Sequence, residues 1–272
     1  MEPAYLKAYA LYFRKFIEAY RSKGIPVSAV HVQNEMNSCQ SFPSCVWRPE
    51  DINRFIGQYL GPELKNTNTE IWLGTIERPQ FERVNLILSD PASSKFIKGV
   101  GFQWAGKGAI AEIHKAYPAL KLMQSETECG NGSNDWPAAE YTFSLMKHYM
   151  NNGANAYMYW NMVLDETGKS QWGWKQNSMI SITKSTGTVV YNPEYFLMKQ
   201  LSRSVLAASH KVKSSGNYDR NICFLSPDRK KLILMVNNIE NASKDIRVKI
   251  AGQLLKATLK PHSINTFEVV LN

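Results

Sequence analysis

Two glutamates stand where strand-like segments of the sequence give way to loops. Glu35 follows the extended segment IPVSAVHVQN, and Glu126 closes the segment LKLMQS. Parallel α/β folds place reactive groups at the carboxyl ends of strands, because the loops there vary on a rigid scaffold. Two carboxylates that converge from such ends suit glycoside hydrolysis, in which a protonated acid assists the leaving oxygen and an ionised partner attacks the anomeric carbon. The alternative is that each is an ordinary solvated acid at a strand end.

Aromatic residues are predicted to cluster at the same edge of the sheet. Indole rings pack against the C–H faces of sugar rings, so this cluster favours a pyranose pocket, although some of its members could be ordinary core residues. The cluster comprises Trp104, Tyr159, Trp160, Trp172 and Trp174. Asn34, directly before Glu35, could hold a sugar hydroxyl through its amide or serve only to orient the acid.

Other chemistry-bearing residues fit the site less well. Glu128 competes with Glu126 for the role of nucleophile, but it is predicted to lie inside the loop. Glu77 ends the segment IWLGTI and is interpreted as a supporting acid or a salt-bridge partner. His31 lies within a predicted strand, where a packed core histidine is expected. No spacing of His and Cys indicates a metal site, and no cofactor is expected.

Strands alternate with helices over the first 160 residues. This alternation indicates βαβ units and a parallel sheet. The predicted strands are Val27–Gln33, Ile71–Ile76, Gly99–Trp104, Leu120–Ser125 and Ala156–Met162. The predicted helices are Pro3–Tyr20, 50–60, 80–90, 107–117 and 137–152. The first is predicted from aromatic residues at helical spacing, namely Tyr5, Tyr9, Tyr12, Phe13 and Phe16.

The pattern changes after Met162. A loop rich in Trp, Gln, Asn and Gly is predicted over 163–178, followed by a hairpin around Thr186-Gly187 and a helix over Pro193–Val205. From about residue 208 onward the sequence consists of strand-like segments and turns. These segments predict a small antiparallel β domain.

Composition sets limits on the class of protein. The chain has 272 residues, of which 44% are hydrophobic and 20% charged, as in ordinary globular proteins. No apolar run reaches the roughly 18 residues of a membrane span, so none is predicted. The N-terminal segment lacks the apolar stretch of a signal peptide, and the localisation stays open. Cys39 and Cys45 lie close in one loop and could either pair or remain free thiols.

The net charge of +9 raises the possibility of nucleic-acid binding. The excess of Lys and Arg lies mainly after residue 185, dispersed along strand-like segments rather than packed into one run. Alternating charge on strands is typical of a solvated face. No nucleic-acid partner is therefore expected.

At these residues the sequence resembles glycoside hydrolase family 30, the glucosylceramidase-like retaining β-glycosidases. The matching segments are IPVSAVHVQNE, GVGFQWAG, LKLMQSETECGNG, YMYWNMVLDETG and ISITKSTGTVVYNPEYFLMKQLSR. The resemblance implies a (β/α)8 TIM barrel with an attached β-sandwich. It matches Glu35 to the acid/base, Glu126 to the nucleophile, Trp104 and Trp160 to pocket aromatics, and Asn34 to the asparagine before the acid. Ala105 stands where many relatives have an aromatic residue, which alters one wall of the pocket.

The resemblance also implies an incomplete barrel. The first predicted strand corresponds to the fourth strand of the family, so the fold expected is strands 4–8 of a TIM barrel over residues 1–205, followed by an antiparallel β-sandwich over 206–272. The chain is thus expected to be the C-terminal portion of a longer enzyme. Missing strands would leave open sheet edges and wet apolar surface, so instability or aggregation is expected of residues 1–272 alone.

Three functions follow from these expectations. The first is a retaining β-glycosidase that acts on a β-linked glucoside or glucan, of the glucosylceramide or β-1,6-glucan type, with Glu35 as acid/base and Glu126 as nucleophile. The second is a catalytically silent carbohydrate-binding fragment that needs an N-terminal segment to act. The third, a basic nucleic-acid module, would require salt-dependent binding and is disfavoured by the dispersed charge.

Overall fold

The computed structural model of the chain describes residues 2–250 and 252–271. The chain divides into two compact units. The first comprises Met1–Glu126 and Asn152–Met158, and the second comprises Thr127–Asn151 and Tyr159–Asn272. The domain boundary predicted between residues 205 and 206 stays a prediction.

The helices and strands of the described residues follow the alternation that the sequence predicts. The helices are α1 (Pro3–Ser22), α2 (Pro49–Phe55), α3 (Gly61–Leu64), α4 (Phe81–Leu88), α5 (Pro91–Ser94), α6 (Ile110–Ala116), α7 (Trp136–Asn151) and α8 (Pro193–Ser204), with a π-helical turn at Ile56–Leu60 and a 3-10 helix at Trp104–Ala109. The strands are β1 (Ala29–His31), β2 (Glu70–Ile76), β3 (Ile97–Gln103), β4 (Lys121–Glu126), β5 (Ala156–Tyr157), β6 (Val163–Asp165), β7 (Ile180–Ile182), β8 (Val189–Tyr191), β9 (His210–Val212), β10 (Asn221–Leu225), β11 (Lys231–Asn238), β12 (Lys244–Ile250), β13 (Gln253–Leu259) and β14 (Ser263–Val270).

Helix α1 forms as predicted, but only part of its aromatic set packs against neighbouring elements. Pro3 lies in the first turn, where its missing N–H costs nothing, and Gly24 follows the helix with a φ of 76°. The buried positions are Leu6, Ala10 and Ile17, whereas Tyr5 and Tyr12 are mostly exposed. The rings of Tyr9 and Phe13 lie beside this apolar stripe, 5.2 and 6.4 Å from the ring of Phe55. The packed face of α1 therefore combines the apolar stripe with these two rings.

The first unit is built on a parallel sheet of five strands in the order β1-β2-β3-β4-β5. Helices connect its strands, as parallel pairing requires. The sheet matches an incomplete TIM barrel, which confirms the predicted fold class. Glycine allows close packing inside it, because a Cβ on Gly101 of β3 would overlap the ring of His31 on β1. His31 is itself half-buried against Trp72, as expected of a packed histidine.

Three predicted strands end earlier than the sequence indicates. The first, predicted over Val27–Gln33, spans only Ala29–His31. Trp104 is not the last residue of β3 but the first of the 3-10 helix, where its φ is 48°. The strand predicted over Ala156–Met162 pairs with β4 only at Ala156 and Tyr157. Beyond that point the chain joins a different ladder, because Asn161 and Met162 accept backbone hydrogen bonds from the segment that leads into β7.

Small sheets make up much of the second unit. Strands β6, β7 and β8 form one sheet, and the antiparallel pair β7–β8 is the hairpin predicted around Thr186-Gly187. An antiparallel sheet in the order β14-β11-β10-β9 and the pair β12–β13 share one apolar core, as the predicted β-sandwich requires. That core comprises Cys223, Leu234, Val236, Ile246, Ile250 and Leu259.

Candidate active site

Glu35 lies in the turn that follows β1 and is held from three sides. Its side chain is only 8% exposed, and its backbone adopts a left-handed φ of 47°. The carboxylate accepts hydrogen bonds from Gln103 Nε2 at 3.0 Å and from Gln40 Nε2 at 2.5 Å. A left-handed conformation at a non-glycine residue costs of order 1–3 kcal/mol and persists where surrounding contacts impose it. The surroundings therefore fix both the backbone and the carboxylate of Glu35.

Thr75 joins Glu35 to Asn34. Its hydroxyl accepts the backbone N–H of Glu35 at 3.1 Å and donates to Asn34 Oδ1 at 3.1 Å. Asn34 is exposed, so its amide is accessible from solvent while its orientation is set by Thr75. Sequence reasoning did not single out Thr75, whose only signal is its place near the carboxyl end of a buried strand.

Glu77 supports the chain that follows Glu35. It is fully buried, and its carboxylate accepts the backbone N–H of Asn37 at 2.9 Å and the hydroxyl of Ser38 at 3.0 Å. Arg78 donates to the Ser38 hydroxyl at 3.1 Å. The sequence interpretation of Glu77 as a supporting acid agrees with these contacts, which anchor the turn rather than reach toward a substrate.

Glu126 is the last residue of β4, and Trp104 holds it. Trp104 Nε1 donates to Glu126 Oε1 at 2.9 Å. Burial raises the pKa of Glu126, the negative charge of Glu35 raises it further, and the hydrogen bond from Trp104 opposes both. Glu126 is therefore held by one indole and lies within electrostatic reach of Glu35.

The end of β3 connects the two carboxylates. Gln103 donates to Glu35, and the next residue, Trp104, donates to Glu126. Gln103 also pairs with Glu126 in the β3–β4 ladder. Consecutive residues at the end of β3 therefore each contact one of the two glutamates. Gln103 was missed by sequence reasoning, and its signal is a buried amide at the end of an apolar strand.

The close packing of the 3-10 helix fixes Trp104 in turn. A Cβ on Gly106 would overlap the backbone carbonyl of Ile76 at the end of β2. Only glycine allows the turn to approach β2 this closely. The packing on β2 therefore confines the backbone of Trp104, whose indole donates to Glu126.

The remaining predicted aromatics belong to the second unit. Trp172 and Trp174 lie in the loop between β6 and β7 and expose 44% and 43% of their surface. Tyr159 hydrogen bonds to the buried Glu194, and Trp160 follows it in the chain. The structure thus brings Asn34, Glu35, Trp104 and Glu126 together in the first unit, while Tyr159, Trp160, Trp172 and Trp174 are placed within the second.

Glu194 is a further buried carboxyl that sequence reasoning missed. It is 1% exposed and accepts a hydrogen bond from Asn177 Nδ2 at 2.8 Å, and burial raises its pKa. Asn177 in turn accepts the backbone N–H of Gly132 at 2.8 Å and donates its own to Cys129 O. This network orders the loop that follows β4. A buried glutamate in the first turn of a helix gives little sign of such a role in sequence.

Glu128, the competing candidate, lies in that loop as predicted. It accepts a hydrogen bond from the Tyr141 hydroxyl on α7 at 2.7 Å. Burial, together with the hydrogen bond and charge of Glu128, raises the pKa of Tyr141 to about 12. These contacts tie Glu128 to α7 within the second unit.

Among residues 2–250 and 252–271, no group of three or more His, Cys, Asp or Glu side chains is arranged to hold a metal ion. Over the same described ranges, no helix is both long and apolar enough to cross a membrane.

A parallel sheet connected by helices, with glutamates at strand ends, is an arrangement found in barrel-type glycoside hydrolases. Residues 1–205 match the model of the glycosyl hydrolase family 30 TIM-barrel domain. The chain therefore belongs to glycosyl hydrolase family 30.

Known relatives agree with this assignment. The chain is 25% identical to putative glucosylceramidase 4 of Caenorhabditis elegans over an alignment of 292 positions, gaps included. This alignment covers 96% of the chain and 56% of the relative. The chain is 24% identical to endo-1,6-beta-D-glucanase BGN16.3 of Trichoderma harzianum, covering 97% and 56%. The solved structure of SrfJ from Salmonella typhimurium superimposes with a TM-score of 0.91 at 22% identity, covering 100% of this chain and 64% of SrfJ, and shows the shared fold. The chain spans a little over half the length of the two curated relatives.

Proposed function

We propose that the chain carries the catalytic pair of a retaining β-glycosidase, with Glu35 as acid/base and Glu126 as nucleophile. The observation that supports this most is the end of β3, where Gln103 and Trp104 each hold one of the two carboxylates. Retention requires carboxyl groups about 5–5.5 Å apart, whereas inversion leaves room for a water at about 6.5–9.5 Å. The proposed retention therefore implies that the carboxyl groups of Glu35 and Glu126 lie at the shorter separation.

The chemistry proceeds in two displacements. Glu35 donates its proton to the glycosidic oxygen while Glu126 attacks the anomeric carbon, so the carbon–oxygen bond breaks and a glycosyl ester forms on Glu126. Glu35, now ionised, removes a proton from a water molecule that attacks the same carbon and releases the sugar. The hydrogen bond from Trp104 stabilises the ionised form of Glu126, which the first displacement requires.

The proposed substrate is a β-linked glucoside or glucan. The relatives are named as a putative glucosylceramidase and an endo-1,6-beta-D-glucanase. Both names describe glucosyl substrates, and the second name specifies a β linkage. The half-exposed rings of Trp172 and Trp174 suit packing against sugar faces. Asn34, Trp104, Tyr159 and Trp160 complete the proposed set of substrate-binding residues.

The stereochemistry of the first product tests this proposal. Proton NMR of the full chain acting on an aryl β-glucoside should show the β-anomer first, with the α-anomer appearing only by mutarotation. Glu35→Gln and Glu126→Gln should each lower kcat by at least 10²-fold, the order expected of an acid/base residue. Glu128→Gln is the matched control, because it changes a glutamate two residues away, and should retain activity. Initial α-anomer, or full loss in the control alone, would contradict the proposal.

A second function, a silent carbohydrate-binding chain, is favoured by one observation. Burial and the charge of Glu35 raise the pKa of Glu126, which opposes the ionised state of a nucleophile. Under this alternative the aromatic residues bind glucan without turnover. Isothermal titration with a β-1,6-glucan oligomer distinguishes the two functions, since binding without released sugar supports only the second.

A further inference from the structure

The loop between β1 and α2 is closed by two hydrogen bonds. At its base, the backbone N–H of Trp47 donates to Met36 O at 2.9 Å, and both side chains are buried. Nearer its tip, the backbone N–H of Gln40 donates to Ser44 Oγ at 3.0 Å. Residues 36–40 and 44–47 therefore run side by side as the two limbs of one loop.

Cys39 and Cys45 lie between these two hydrogen bonds, one on each limb. Both are exposed free thiols, whereas Cys129 and Cys223 are buried. A disulfide requires Cα atoms about 4.4–6.8 Å apart. The hydrogen bonds on either side of the two cysteines hold their limbs together, which favours this approach. Exposure makes both thiols accessible to a soluble oxidant.

We propose that Cys39 and Cys45 form a reversible dithiol–disulfide pair that closes this loop. With oxidised glutathione as the oxidant, one cysteine thiolate attacks the glutathione disulfide, which gives a mixed disulfide and releases one glutathione thiolate. The second cysteine thiolate then attacks the cysteine sulfur of the mixed disulfide, forms the intramolecular bond and expels the second glutathione. The two protein thiols lose two protons and two electrons, and the glutathione disulfide is reduced to two thiols.

The loop connects this pair to Glu35. Gln40, next to Cys39, donates to Glu35 Oε2 at 2.5 Å, so closing the limbs confines the residue that contacts this carboxylate. This link to catalysis rests on the proposed function. The pairing itself does not, because it depends only on the loop.

Intact-mass analysis of the full chain in a glutathione redox buffer, followed by alkylation, tests the pairing. Both cysteines fall in the tryptic peptide 24–54, because trypsin cleaves after Lys23 and after Arg54, whereas Pro49 blocks cleavage after Arg48. The wild-type chain should lose two alkylatable thiols, gain no glutathione, and yield this peptide lighter by two hydrogens. Cys39→Ser and Cys45→Ser should each hold a stable mixed disulfide with one glutathione.

A second readout is amide hydrogen exchange over the same peptide. Exchange should be slower in the oxidised wild-type chain than in the reduced one, and unchanged by the buffer in the Cys39→Ser/Cys45→Ser double variant. Wild-type chain that retains bound glutathione, or that stays reduced where the single variants become glutathionylated, would overturn the proposal. These outcomes do not depend on glycosidase activity, so failure of the pairing is distinguishable from failure of the proposed function.

Discussion

Two residues of the candidate site adopt backbone conformations that their side chains disfavour. Glu35 has a φ of 47° and Trp104 a φ of 48°. Such conformations cluster at functional sites, because only strong surrounding contacts maintain them. Here the contacts are identifiable: Thr75 binds the backbone of Glu35, and Gly106 packs the turn of Trp104 against β2. The two strained residues are therefore Glu35, the proposed acid/base, and Trp104, which donates a hydrogen bond to the proposed nucleophile Glu126.

The pKa of Glu126 gives a prediction for the pH dependence of its reaction. Glu126 must be ionised to attack, and burial and Glu35 raise its pKa, so the rate should rise as the pH rises through this elevated pKa. Glu35→Gln removes the neighbouring negative charge and should move the acid limb of the pH–rate profile to lower pH. Trp104→Phe removes the hydrogen-bond donor and should move it to higher pH. The measurement is the rate of glycosylation by an activated fluoroglucoside, whose leaving group needs no acid.

Opposite shifts in the two variants are the diagnostic result. A Glu35→Gln variant with an unmoved or higher acid limb would show that the charge of Glu35 does not act on the nucleophile. Glu128→Gln serves as the control and should leave the limb in place.

At the scale of elements, Glu77 connects the end of β2 to the turn that follows β1. Glu77→Ala would leave the Asn37 N–H and the Ser38 hydroxyl without their buried acceptor. Loss of such a partner costs about 1–3 kcal/mol in the free energy of unfolding. Denaturant unfolding should show this decrease, whereas Glu82→Ala, at an exposed position of α4, should change it by less than about 0.5 kcal/mol. Equal stability of the two variants would contradict the anchoring role of Glu77.

The ends of the strands that precede Glu35 and carry Glu126 were predicted to within two residues, but the contacts between these ends were not predicted. Apolar segments followed by polar residues located Glu126 at the end of β4 and Glu35 shortly after β1. The partners Thr75 and Gln103 depend on the register between strands that are distant in sequence, and no local pattern encodes that register. Trp104 was predicted to end a strand, but it begins a 3-10 helix. Its turn conformation is imposed by the packing of Gly106 on β2, a tertiary contact that the local sequence does not encode.

The same limit explains the segment after β5. A continuous apolar run predicted one strand up to Met162, because periodicity cannot show where a chain changes its hydrogen-bonding partner. In the structure the chain pairs with β4 at two positions and then joins β7. Tyr159 and Trp160 were predicted to lie near the end of this strand, and in the structure they lie beyond it.

At the scale of the whole molecule, the open edges of the parallel sheet are expected to determine whether chains associate with one another. Among the described residues, β1 and β5 are the terminal strands of the five-stranded sheet, so each has one edge without a strand partner. Open edges are templates for pairing with other chains. We expect the 272-residue chain to self-associate, and light scattering coupled to gel filtration should show species larger than a monomer. A monomeric peak with a single cooperative unfolding transition would contradict this expectation.

Covalent trapping of the nucleophile tests the central proposal most directly. The full chain is incubated with a 2-deoxy-2-fluoro β-glucoside that carries a good leaving group, and the product is measured by intact mass and peptide mapping. The proposal predicts one fluoroglucosyl group per chain, attached to Glu126 and absent from the Glu126→Gln variant. An adduct on Glu128 would keep the retaining mechanism and overturn the assigned nucleophile, and a chain that binds the glucoside without any adduct would contradict the proposal that it carries a working catalytic pair.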